Sequence, residues 1–104
     1  MRRNHRSDVN FAIYDKGELT EIIQPDHIGL IGVGLHVDDL NYDYPKDKTL
    51  EIGMIGSNKM CQDENRVPVI VSLNDGYSLG LRLKDFNADK VERWSKILDQ
   101  VYNA

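Results

Sequence analysis

The chain has 104 residues, 29% of them charged and 40% hydrophobic, with a formal net charge of −4 and a pI near 5.2. That length supports one domain around one modest core, and that balance describes a folding chain rather than a disordered one. It excludes broad electrostatic binding to duplex nucleic acid or an anionic bilayer, and no apolar run approaches the roughly 20 residues of a membrane span.

Residues 1–8 break the acidic balance. Arg2, Arg3 and Arg6 sit within five positions, with His5 between them. With three of the 13 basic residues in this arm, the other ten face the 17 acidic residues of the whole chain. Such a terminus is ordinarily a solvated tail. Arginine is also the residue suited to an anion clamp, because its planar fork holds phosphate or a guanine edge bidentately. No apolar stretch follows the arginines, so a secretory leader is not expected and the expected compartment is the cytoplasm. The lone Cys61 cannot form an internal disulfide, which fits a reducing compartment. It lies in a polar segment without a neighbouring base and reads as a bystander thiol.

From residue 9 onward period-two alternation dominates. Val9, Phe11 and Ile13 read as one face of a first strand, ended by a turn at Asp15-Lys16-Gly17-Glu18. Residues 19–24 resume an extended run that Pro25 and Asp26 interrupt. Residues 27–37 carry glycine at every second or third position and close in a strand with Val33, Leu35 and Val37 on one face. Residues 38–48 read as a polar loop holding Tyr42, Tyr44 and Pro45. Leu50, Ile52 and Met54 alternate as the next strand. A second polar loop spans residues 56–66, and Val67, Val69 and Val71 mark another strand. Asn74-Asp75-Gly76 signals a hairpin turn. The returning strand places Leu79, Leu81 and Leu83 on one face and Gly80, Arg82 and Lys84 on the other.

The period then changes. Val91, Trp94, Ile97, Leu98 and Val101 form a helical stripe. Asn87 is placed to cap that helix, Asp89 suits its first turn, and Trp94 reads as its core anchor. About six short strands followed by one amphipathic helix predict a mainly β, antiparallel barrel or curled sheet over residues 9–104, with the helix covering an open side or end.

The arginine-rich opening, the strand after it, the glycine-rich turn about twenty residues on, and the closing helix together resemble a PilZ domain. The last strand and its exit, Tyr77-Ser78-Leu79-Gly80-Leu81-Arg82-Leu83-Lys84-Asp85-Phe86-Asn87, are similar to that family too. The resemblance implies a six-stranded antiparallel β-barrel with a C-terminal amphipathic helix. It also implies a cytoplasmic bacterial receptor for cyclic di-GMP that signals to a partner protein. The family's RxxxR motif matches Arg2 and Arg6, with Arg3 as an extra arginine. Its [D/N]xSxxG motif, aligned on Gly32, puts His27 at the acidic position and Gly29 at the serine position. A one-residue slip puts Asp26 at the acidic position but Ile28 and Ile31 at the other two, and the first register is preferred. The ligand-binding residues implied are thus Arg2, Arg3, Arg6, His27, Gly29 and Gly32. In chemical terms the arginines can fork onto phosphate, take the guanine edge or stack on its face. A neutral His27 can accept one hydrogen bond from guanine.

No protein cofactor is expected beyond cyclic di-GMP as ligand. His5, His27 and His36 fit no recognised metal spacing, and no Ser/His/Asp or Cys/His arrangement announces catalysis. Asp38-Asp39 reads as a solvated loop pair. The chain is therefore expected not to be an enzyme, to need a downstream protein partner, and to bind neither membrane nor duplex nucleic acid. The alternative is a degenerate PilZ-like adaptor that has lost the nucleotide and acts by protein–protein contact, with Tyr42 and Tyr44 as contact candidates.

Overall fold

The structure is a computed structural model that describes residues 10–55, 66–85 and 87–103. Arg2, Arg3, Arg6, Val9, Cys61 and the side chain of Val101 lie outside the described residues. Seven strands and one helix follow in order: β1 (Asn10–Asp15), β2 (Glu18–Ile23), β3 (His27–Gly29), β4 (Gly32–His36), β5 (Thr49–Ile55), β6 (Val67–Asn74), β7 (Ser78–Leu83) and α1 (Ala88–Asn103). All pairings are antiparallel, in the sheet order β2-β1-β5-β6-β7-β4-β3. A short 3-10 turn, Val37–Asp39, follows β4.

Local chemistry accounts for the hairpins. Lys16 and Gly17 both take positive φ, 53° and 84°, which is the backbone of a two-residue turn whose twist matches the strands it joins. Between β6 and β7 the Asn74 and Asp75 side chains accept the backbone N–H groups of Gly76, Tyr77 and Ser78. Two of those bonds, from Ser78 and Tyr77, hold the Asp75 carboxyl below its ordinary pKa.

The expected count of six strands becomes seven because the glycine-rich run is two strands. Gly29 pairs with Gly32, so the chain reverses over Leu30 and Ile31. The reversal shifts the inward position from the even-numbered Ile28 to the odd-numbered Val33 and Leu35, but a three-residue strand is too short for that change of phase to stand out.

The sheet curls but is not closed by hydrogen bonds. Its edges are β2 and β3, yet these two are consecutive in the chain. Ile23 to His27 is four residue steps, at most about 14 Å. The sheet must therefore coil until its first and last strands come within that span. Register shifts at Ile13/Tyr14 and at Val71/Leu73 add local bend and twist in two strand pairs. Pro25, in the link, has no N–H to offer a ladder.

Inside the curl, Phe11, Ile13, Leu35, Leu50, Ile52, the three valines of β6 and Leu79, Leu81 and Leu83 are buried together. Each lies on the face its alternation predicted. β1 is buried on both faces, since Ala12 and Tyr14 form a small second cluster with Ile55. The helix starts as expected: the Asn87 side chain accepts the Lys90 N–H at 3.0 Å. It inserts Trp94 and Ile97 into the core, with Leu98 partly buried beside them. Trp94 lies 6.0 Å from Phe11, ring to ring, and its indole N–H donates to the Gly29 carbonyl at 3.2 Å. Val91, at the start of the stripe, stays exposed. No helix among the described residues is long and apolar enough to cross a membrane.

Candidate functional site

Strand parity places the site. On β7 the leucines point inward, so Ser78, Gly80 and Arg82 face out. Register then aligns two rows across β3, β4 and β7. One row is Gly29, Gly32 and Arg82; the other is His27, Gly34 and Gly80. Four glycines thus lie between an imidazole and a guanidinium. Two strand spacings and one two-residue step give this shelf of bare backbone dimensions of about 10 by 7 Å. His27 lies on the shelf: its Cβ is 3.5 Å from where a Cβ on Gly34 would stand, and its Nε2 is 3.6 Å from the same position on Gly29. Ser72 and Leu73 border the far side at Gly80, and the Ser72 hydroxyl donates to the Gly80 carbonyl at 3.3 Å. At one corner His36 pairs with Asp26 at 3.4 Å, both well exposed.

The structure therefore brings His27, Gly29 and Gly32 together on the β3–β4 hairpin, while Arg2, Arg3 and Arg6 lie outside the described residues. The glycines are not equivalent. A Cβ on Gly32 would stand 1.9 Å from the Leu81 carbonyl oxygen, so packing of β4 on β7 already demands glycine there. A Cβ on Gly29 would meet only ordinary contacts at 3.6 and 3.7 Å. Gly29 is thus a position where a Cβ fits without displacement.

The shelf sits near the point where the arm joins the fold. Phe11 pairs with Ile23 at the end of β2, just before the link to β3. Phe11 also packs on Trp94, whose N–H holds Gly29.

Other features have structural explanations. The Glu21 carboxylate is 2% exposed and accepts bonds from the Asn41 N–H and side-chain amide, the Tyr42 N–H and the Tyr44 hydroxyl, at 2.8–3.2 Å. This ties the loop after β4 to β2. Tyr44, expected in a loop, is a core residue; burial and the neighbouring Glu21 push its hydroxyl well above the ordinary pKa of tyrosine. Tyr42 stays exposed, stacked edge-on to Tyr44 at 6.5 Å. Arg66 lies over the Tyr14 ring at 3.6 Å. A shallow groove of about 550 Å³ runs past Tyr14, Lys16 and Glu51, but its Lys48 is already paired with Asp15 at 3.2 Å. Among the described residues, no group of three His, Cys, Asp or Glu side chains is placed to hold a metal ion.

Sequence reasoning assigned Gly80 and Arg82 to the face opposite the leucines but did not include Arg82 in the site. The missing datum was the partner of β7, which parity alone does not give. Comparison with family models, with curated proteins and with solved structures finds no match.

Proposed function

We propose that the protein is a PilZ-like receptor module for cyclic di-GMP. In this reading the curled sheet and its helical plug are the barrel of that family, and the shelf is its nucleotide face. One observation carries the reading: the second-motif positions lie on one glycine-floored outer face, at the sheet edge that a short link joins to β2, the partner of the strand that follows the arginine arm. Bare backbone lets a flat base approach the sheet closely. The arm's guanidiniums supply phosphate forks and stacking planes, and their ordering cost falls on the binding step. Ordering of the arm is the event a downstream protein would sense.

Histidine and glycine at positions 27 and 29 weaken the site relative to aspartate and serine. A lost charge-assisted bond costs about 1–3 kcal/mol and a lost neutral one about 1 kcal/mol. Together these correspond to affinity about ten- to a thousandfold lower. The test is thermal unfolding with cyclic di-GMP. At ligand a hundredfold above Kd, linkage gives about 2.7 kcal/mol of stabilisation, a Tm rise on the order of 10 °C. The rise should vanish in Arg2→Ala/Arg6→Ala and appear at lower ligand concentration in His27→Asp/Gly29→Ser. No rise in the natural chain at millimolar ligand contradicts the reading. That result leaves the adaptor alternative, for which the exposed Tyr77 (79%) and Leu73 (48%) of the β6–β7 hairpin are the contact surface.

A further inference from the structure

We infer that Arg82 is the guanine-selecting residue of the shelf, gripping the acceptor edge of a base laid flat over β4. The inference rests on the nucleotide-receptor reading above and adds to it a residue outside both motifs.

Arg82 is the one cation that register places in the rows of the shelf. It stands on β7, pairs with Gly32 and Ile70, and points outward because Leu81 and Leu83 point in. It is exposed, and among the described residues no carboxylate makes an ion pair with it. The nearest acid on the ladder, Glu51 two strands away on β5, pairs with Arg66 at 4.0 Å. A cation anchored on a strand differs from cations on an arm: its position is set by the ladder before any ligand arrives.

Opposite Arg82, across the glycines, the His27 ring reaches over Gly29. The two ends are chemically complementary to one base. Guanine carries two acceptors, O6 and N7, toward one end, and these match the donor fork of a guanidinium. Its N1–H and N2–H₂ donors lie toward the other end and match a neutral imidazole nitrogen. Adenine presents an amino group where guanine has O6, so it sets donor against donor at Arg82. The shelf is about 10 Å from β3 to β7, which leaves room for a base between the two side chains.

Calorimetry with cyclic di-GMP and cyclic di-AMP on the natural chain, Arg82→Ala and Arg82→Lys tests this. The natural chain should prefer the guanine dinucleotide by tenfold or more. Arg82→Ala should weaken cyclic di-GMP about five- to a hundredfold, the range for one bidentate contact, and should not weaken cyclic di-AMP. Arg82→Lys, which keeps the charge but loses the fork, should also lose selectivity. Because Arg82 is exposed, circular dichroism and Tm of both variants should match the natural chain. If both dinucleotides weaken equally, Arg82 contacts phosphate and the inference is overturned. If the natural chain binds cyclic di-GMP and Arg82→Ala leaves the ratio intact, the inference falls while the receptor reading stands. If the natural chain binds neither, both fall.

Discussion

Gly32→Ala is expected to be the most damaging alanine substitution among the four shelf glycines. The new Cβ would stand 1.9 Å from the Leu81 carbonyl oxygen and 2.9 Å from its carbon. Neither atom belongs to a side chain that can rotate away. Relief requires moving β4 off β7, and with it the β3–β4 hairpin and the Gly29 carbonyl that Trp94 holds. Overpacking of rigid sites costs about 1–3 kcal/mol and more where backbone must move. About 3 kcal/mol is a large share of a small domain's stability and lowers Tm by about 12–20 °C. Gly29→Ala is the internal control. Its Cβ meets ordinary contacts, so Tm should stay within a few degrees. Thermal unfolding of the two variants decides the point; equal Tm values would mean that β4 does not approach β7 as closely as described.

The second large effect is expected at Glu21. Its carboxylate is buried and surrounded by donors: the Asn41 and Tyr42 backbone N–H groups, the Asn41 amide and the Tyr44 hydroxyl. Glu21→Gln keeps the shape but turns one acceptor into a donor facing donors. Leaving buried groups unsatisfied costs about 1–3 kcal/mol each, and breaking a buried charged network reaches about 3–5 kcal/mol. A loss of about 3 kcal/mol in urea unfolding is expected. Backbone amides of residues 41 and 42 should exchange with solvent faster as the loop detaches from β2. Unchanged exchange there would show that Glu21 does not hold the loop.

These two positions also show what was legible in the sequence. Gly32 stood out as a glycine in a motif, and its alignment suggested ligand approach; its demand for glycine comes from β7, fifty residues away, which no local pattern encodes. Glu21 looked like the polar member of an extended run. Parity gives it the inward face it shares with Ile23, while Ile22 lies exposed on the outer face of an edge strand. A carboxylate with inward parity was the available signal, but its donors sit twenty residues on, in a loop whose path is not periodic. Tyr44 sits in the expected loop, but its burial against Glu21 was not legible for the same reason. By contrast, Lys16-Gly17, Asn74-Asp75-Gly76 and the Asn87 cap are local devices, and each sits where its chemistry predicted. The leucine and valine alternations were legible because one face of each strand meets the core. The split of the glycine-rich run into β3 and β4 was not, because the shift of inward phase from Ile28 to Val33 rests on a single residue of a three-residue strand. Arg82 was legible as outward-facing, and only the register of β7 with β4 and β3 gave it neighbours.

The receptor reading stands on the shelf, and amide NMR addresses the shelf directly. The chain has eight glycines, whose amides resonate apart from most others. Titration with cyclic di-GMP should shift Gly29, Gly34 and Gly80, the three shelf glycines open to a ligand, together with the Trp94 indole N–H bonded to Gly29. Gly17, in the β1–β2 turn, and Gly53, in β5, should not move. Shifts confined to Gly17 and Gly53, or no shifts at all at millimolar ligand, would contradict a nucleotide site on this face.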